Sequence, residues 1–325
     1  MSTGKTKVCV IGSVNMDLVA RAPRLPVPGE TIIGQRFDTY PGGKGANQAV
    51  SAARMGADVC LIGTHGDDDY GRRLREILRG EGVDISALRT HDQSKTGVGI
   101  ILVSNAGENV IVVISGANAK IDASHVQASA DVIRDSDVLL MQLETTIEAV
   151  REGATIARSA GKPVLLNAAP AGGAPPDLLK MIDVLIVNKT EAVTLSGMDH
   201  NSDPARLALR LADMGPSTVV LTLGAQGSII AHKGRPRRIP TLAVKSIDSV
   251  GAGDCFAGAL AAAWGEVHQA ARARSPDEFR MVEDAMLAAS AAGALSTLKP
   301  GAIPSLPTRE DVLRELPGLI KKFRV

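Results

Sequence analysis

Six short runs of this chain are apolar at consecutive rather than alternate positions, and that pattern constrains the fold more than any other feature. They are "KVCVIGS" (7–13), "DVCLIGT" (58–64), "DVLLMQLE" (137–144), "PVLLNAAP" (163–170), "DVLIVNKTE" (183–191) and "TVVLTLG" (218–224). A strand with one wet face alternates apolar and polar residues. An unalternated run is covered on both faces, as in a parallel sheet layered between helices. Helical patterns fall between the runs, at 45–56, 69–80, 146–160 and 203–214. Alternation at this spacing predicts a three-layer α/β/α sandwich around a central, mostly parallel sheet. Each run closes in small or polar residues, which points to ligand chemistry beyond the carboxyl ends of the strands.

Two regions break the rhythm. Residues 17–43 carry β-type segments and prolines with no helix between them, and "TGVGIILVSNAGENVIVVISGAN" (96–118) reads as a hairpin. Together, at about 15–42 and 96–118, they are expected to form a small β-sheet lid inserted into a single domain spanning 1–325. The lid's apolar face needs cover, so it is also the expected surface of a homodimer. A third irregular stretch, 268–305, reads as a charged link followed by an alanine-rich helix over about 280–295.

Composition narrows the partners. Formal charge is +1 and aromatic residues are 2% of the chain, so neither a basic footprint nor stacking platforms for nucleic acid are present. No 18-residue apolar span suggests a membrane helix, and the N-terminal apolar run lacks the flanks of a signal peptide. Cys9, Cys60 and Cys255 are widely spaced, which argues against zinc and for reduced thiols. The expected location is the cytoplasm. Six histidines form no close pair and read as surface or packing residues.

Five polar-glycine segments carry candidate chemistry, and each has a bland and a sharp reading. "GGKGANQA" (42–49) is a tight turn before a buried helix, or a backbone that approaches a ligand while Asn47 offers its amide. "GSVNMDLV" (12–19) places Asn15 and Asp17 past the first strand, as turn caps or as partners of adjacent hydroxyls. In "NKTEA" (188–192), Asn188 and Glu191 form a capping box or hold a hydrated Mg²⁺ beside nucleotide phosphates. "LTLGAQGSI" (221–229) is a hairpin connection or, through Gly224 and Gly227, a nucleotide cradle. "DSVGAGDCFAGAL" (248–260) is a helix start, or a row of N–H groups aimed at an anion with Asp254 placed as a base. Glu144, closing an apolar run, is a further candidate substrate contact.

These segments together resemble the PfkB (ribokinase-like) carbohydrate kinase family. The glycine-rich signature lies around 42–59 and the C-terminal one at 248–260, and the likeness runs from about Val8 to Leu316. The resemblance implies ATP-dependent phosphorylation of D-ribose at O5. A kinase for 2-deoxyribose, another sugar or a nucleoside is the alternative, and a non-catalytic sugar-binding protein a more distant one. It implies Asn15, Asp17, Gly43, Lys44, Asn47, Glu144 and Asp248 as sugar contacts. Asp254 becomes the catalytic base, with Gly251, Ala252 and Gly253 as the anion hole. Asn188 and Glu191 organise Mg²⁺ and phosphates, while Thr222, Gly224, Gly227 and Gly253 bind ATP. Asp248, Val250, Ser296, Lys299, Gly301 and Ser305 match a K⁺ site. The shortage of aromatics leads us to expect adenine against aliphatic side chains near Ala289, and segment 268–279 looks longer than is usual for the family.

Overall fold

The computed structural model describes residues 5–324 except 171 and 173. Its main sheet runs, edge to edge, Arg235–Ile239, Ser228–His232, Thr218–Thr222, Val184–Asn188, Val164–Asn167, Val138–Gln142, Lys7–Ile11, Asp58–Gly66 and Val83–Asp84. Leu88–His91 also pairs with Asp58–Gly66. All pairings are parallel except in the hairpin formed by the last three strands of the chain.

Successive residues of the central strands enter two separate cores, which is why their sequences do not alternate. Val138 and Leu140 join one core with Val50, Leu260 and Met286. Leu139 and Met141 join the other with Val150, Ala154 and Leu207. Helices Lys44–Arg54, Ala252–Arg272 and Glu278–Ser296 cover the first face, and Ile147–Ser159 and Pro204–Ala212 cover the second. The layered α/β/α sandwich is therefore as expected. The expected helices at 69–80, 146–160 and 203–214 form as well, started by side-chain caps from Asp68, Thr146 and Asp203.

The lid is a second sheet ordered Arg36–Gly42, Asn15–Ala22, Gly97–Ser104, Asn109–Ile114. Its central pair is parallel and its outer pairs antiparallel. The expected hairpin at 96–118 is present in the last two strands.

Segment 268–279 differs from the expectation of a link. Helix Ala252–Arg272 runs through its first part, because "HQAAR" offers good helix formers and no breaker, and the next helix begins at Glu278. Only the short turn between them is irregular. Among the described residues no helix is long and apolar enough to cross a membrane, and no group of three or more His, Cys, Asp or Glu is placed to hold a metal.

Candidate active site

The parallel strands end on one edge of the main sheet, and the helix N-termini that follow them converge there. Gly43 starts helix Lys44–Arg54 at φ 88°. A side chain there would meet Asn15 N at 2.7 Å and Ser13 O at 2.9 Å, so only glycine fits. The next residue, Lys44, points its ammonium among Asp254, Glu144, Glu191 and Asp17. Asp254 first and then these other carboxylates hold its pKa above the usual value, against the opposing effect of burial.

Asn47 and Gln48, one turn further on, both reach Asp254. Asn47 Nδ2 donates to Asp254 Oδ2 and Gln48 Nε2 to Asp254 Oδ1, each at 2.9 Å. Asp254 is 7% exposed. It lies in the first turn of helix Ala252–Arg272, whose N-cap is Gly251 in the left-handed region, with no side-chain cap. The helix offers no acceptor to its first N–H groups. Ala252 departs from the expected anion hole, because its N–H already donates to Ser249 O at 3.2 Å. Gly251, Gly253 and Asp254 remain as the donors.

The lid roofs this edge. Asn15 accepts at Oδ1 from Asn118 Nδ2 at 2.7 Å, and Asn118 is itself tied to both backbone groups of Val14. Asn15 is thus turned with its own amide N–H groups free for another partner. Asp17 lies between Gly42 and Gly99, at either of which a side chain would collide with its carboxylate. Burial, then the charges of Glu144 and Asp254, push the Asp17 carboxyl up to about 7, with Lys44 opposing. Glu144 accepts from Ser13 Oγ at 2.6 Å and from Lys44 N at 3.2 Å. Both bonds use Oε2, and Glu144 also lines the first cavity described below.

Three cavities meet at Gly251–Asp254. The first, of about 670 Å³, is lined by Asn15, Asp17, Gly43, Lys44, Asn47, Glu144, Gly251 and Asp254, and roofed by Ile111 and Val113. The second, of about 660 Å³, is lined by Thr222, Gly224, Gly227, Ala252 and Gly253 together with Phe256, Ser290 and Gly293. A third, of about 210 Å³, joins them and is bounded by Lys44, Asn188, Glu191, Gly253 and Asp254. Asn188 and Glu191 do form the capping box, at 2.8 and 2.9 Å, and both line this third cavity. Burial raises the Glu191 carboxyl above its ordinary pKa, opposed by the Asn188 N–H and Lys44.

One further expectation is corrected. Asp248 does not line the sugar-sized cavity: its oxygens accept from Val250 N at 3.0 Å and Gly301 N at 2.9 Å, tying the glycine loop to 299–305. Ala289 itself is fully buried, and its helix neighbours Ser290, Gly293 and Ala294 line the second cavity with Leu242, Val244 and the aromatic Phe256. The sequence reading also missed Ser13, Gln48 and Asn118. The only signal for Gln48 was its place beside Asn47 in the glycine motif.

One cavity fits a small polyhydroxylated acceptor and the other a nucleotide, with a helix N-terminus and a carboxylate between them, which is the arrangement of a phosphotransferase. The model of the pfkB family carbohydrate kinases matches residues 5–309, and the chain belongs to that family. It is 39% identical to a ribokinase of Haemophilus influenzae over 309 residues, covering 94% of this chain and 97% of that protein. Among solved structures, Giardia lamblia ribokinase superposes with a TM-score of 0.87 at 27% identity, covering 97% of this chain and 99% of the other. Arabidopsis thaliana ribokinase, solved with ribose and ATP, gives a TM-score of 0.83 at 30% identity, covering 96% and 99%.

Proposed function

We propose that the protein transfers the γ-phosphoryl group of ATP to O5 of D-ribose, giving D-ribose 5-phosphate and ADP. One observation carries this reading: the turn that puts Asp254 into the polar cavity also puts Gly253 into the nucleotide-sized one. Asn15, Asp17, Gly43, Lys44, Asn47 and Glu144 hold the sugar. Asn47 Oδ1 is buried with no partner among the described residues, an acceptor waiting for a hydroxyl. Asp254 takes the proton from O5 as that oxygen bonds to the γ-phosphorus and the bond to the β,γ-bridging oxygen breaks. The N–H groups of Gly251, Gly253 and Asp254, with Lys44, meet the charge on the transferring group. Ile111 and Val113 exclude water from above.

Mg²⁺ arriving with the nucleotide supplies charge neutralisation at the phosphates, and the Asn188 and Glu191 oxygens facing the third cavity suit its water shell. For K⁺, the donors at Asp248, Val250, Ser296, Lys299, Gly301 and Ser305 are hard oxygens. The hydroxyl protons of Ser296 and Ser305 are already given to Gly293 O and Ala302 O, which leaves lone pairs for a cation.

A second copy of this chain is the partner we assign to the lid. Val110, Val112 and Ile114 point away from the cavity on an edge strand, beside exposed Ile100, with exposed Phe37 on the opposite edge of the same sheet. We place the reaction in the cytoplasm, where ATP is available and the three unpaired cysteines stay reduced.

The test is direct. Purified protein with MgATP and K⁺ is offered ribose, 2-deoxyribose, other pentoses and nucleosides, and ADP release is followed. Ribose should give the highest rate and a 5-phosphate product. Preference for another acceptor reassigns the substrate, and ADP release that ignores every sugar rejects the proposal.

A further inference from the structure

Behind Asp254 lies a buried chain of amides whose middle member touches none of the three cavities. Gln48 is fully buried. Its Nε2 donates to Asp254 Oδ1 at 2.9 Å and to Asn167 Oδ1 at 3.0 Å, which uses both amide protons. Its Oε1 accepts from Gln142 Nε2 at 2.7 Å. Asn167 gives one amide proton to Ile186 O, at 3.2 Å, so it presents its oxygen to Gln48. Every bond direction is thereby fixed, and the proton-bearing ends of the chain face Asp254.

The supporting groups sit on rigid ground. Gln142 and Asn167 are register partners on adjacent parallel strands of the main sheet. Gln142 Oε1 is buried without a partner among the described residues, in space that any side chain at Gly12 would fill. Buried acceptors are rarely left unpaired where stability alone decides the residue. Here the unpaired oxygen is the consequence of Gln142 turning its donor toward Gln48.

We propose that Gln48 is a positioning residue for phosphoryl transfer. It fixes the plane of the Asp254 carboxylate and presents only donors to it, so that the base meets the sugar hydroxyl in one orientation. Asn47 does the same for the other carboxylate oxygen but also lines the sugar cavity. Gln48 is walled off from the sugar, and its influence passes through Asp254. This inference rests on the reading of Asp254 as the base.

Gln48→Met keeps an unbranched side chain and removes both donors. Turnover should fall roughly 10- to 100-fold, the scale of a small misplacement of a reacting group. The KM values for sugar and ATP should stay within about twofold, because ground-state binding is untouched. Combined with Asp254→Asn, the variant should show no additional loss; the double variant falls only as far as Asp254→Asn alone. Near-normal turnover in Asp254→Asn defeats the base reading itself. An inactive Asp254→Asn beside a normally active Gln48→Met, or additive losses with raised KM, overturns the role of Gln48 and leaves the base standing. If Gln48→Met does not fold, Gln142→Met carries the test, since it frees the Gln48 amide to flip: turnover should drop severalfold with KM kept, and unchanged turnover refutes the proposal.

Discussion

Strands Val138–Gln142 and Asn109–Ile114 are close in apolar content and opposite in fate. The first is buried at every position and the second exposed at every position. Helices cover both faces of the first. The second is the edge of the lid, with the sugar-sized cavity on one side and open surface on the other. Apolar side chains in the floor of the molecule serve the fold. On the reading proposed above, those in the roof are apolar for what arrives later: a sugar on the inner face and a second chain on the outer one. Changes to the floor should therefore cost chemistry or stability, and changes to the roof should cost recognition.

The largest expected effect is at the floor's catalytic edge. Asp254→Asn should cut turnover by a factor on the order of 10²–10⁴ while sugar and ATP affinities hold, read from steady-state kinetics. Next is the floor itself. Leu140 is fully buried in a central strand, and Leu140→Ala should remove about 2–5 kcal/mol of stability in a denaturant titration.

Smaller effects belong to the roof. Asp17 needs its ionised form to accept from two sugar hydroxyls. With its carboxyl at about 7, the KM for sugar should fall as pH rises from about 6 to 8, by up to about tenfold. Asp17→Asn should flatten that profile. The sign for stability is opposite. The folded carboxyl keeps its proton to about 7, whereas the unfolded chain loses it near the ordinary 3.8, so the fold loses stability as pH rises through that window. Asp17→Asn should therefore raise Tm more at pH 8 than at pH 5. Val112→Glu is the mildest for the single chain: stability should shift by no more than about 0.5 kcal/mol, as for an exposed site. The same change should convert dimer to monomer in sedimentation, and an unchanged assembly would remove the outer lid face as its interface.

Much of this contrast was legible in the residue pattern. Unalternated runs such as "DVLLMQLE" announce burial on two sides, and the glycines at 43, 251 and 253 mark where backbone lines the cavities. What escaped the reading has a common cause. Gln48, Gln142 and Asn167 acquire meaning only from partners roughly a hundred residues or more away in sequence, as do Asn118 and Ser13. Local spacing cannot report such pairings. Phe256 hid in an alanine-rich helix, although it lines the nucleotide-sized cavity. The helical first part of 268–279 was obscured by its charges, which face solvent in a helix as readily as in a loop.

The bonds from Asn47 and Gln48 to Asp254 span 207 and 206 positions of sequence. On the roles proposed above, a growing polypeptide emerging from the ribosome therefore has its acceptor-side residues Asn15, Asp17, Lys44 and Glu144 in hand long before it has a base. The power to move phosphate arrives almost last, when some four-fifths of the chain has been made, and the half-built molecule has no means of wasting ATP.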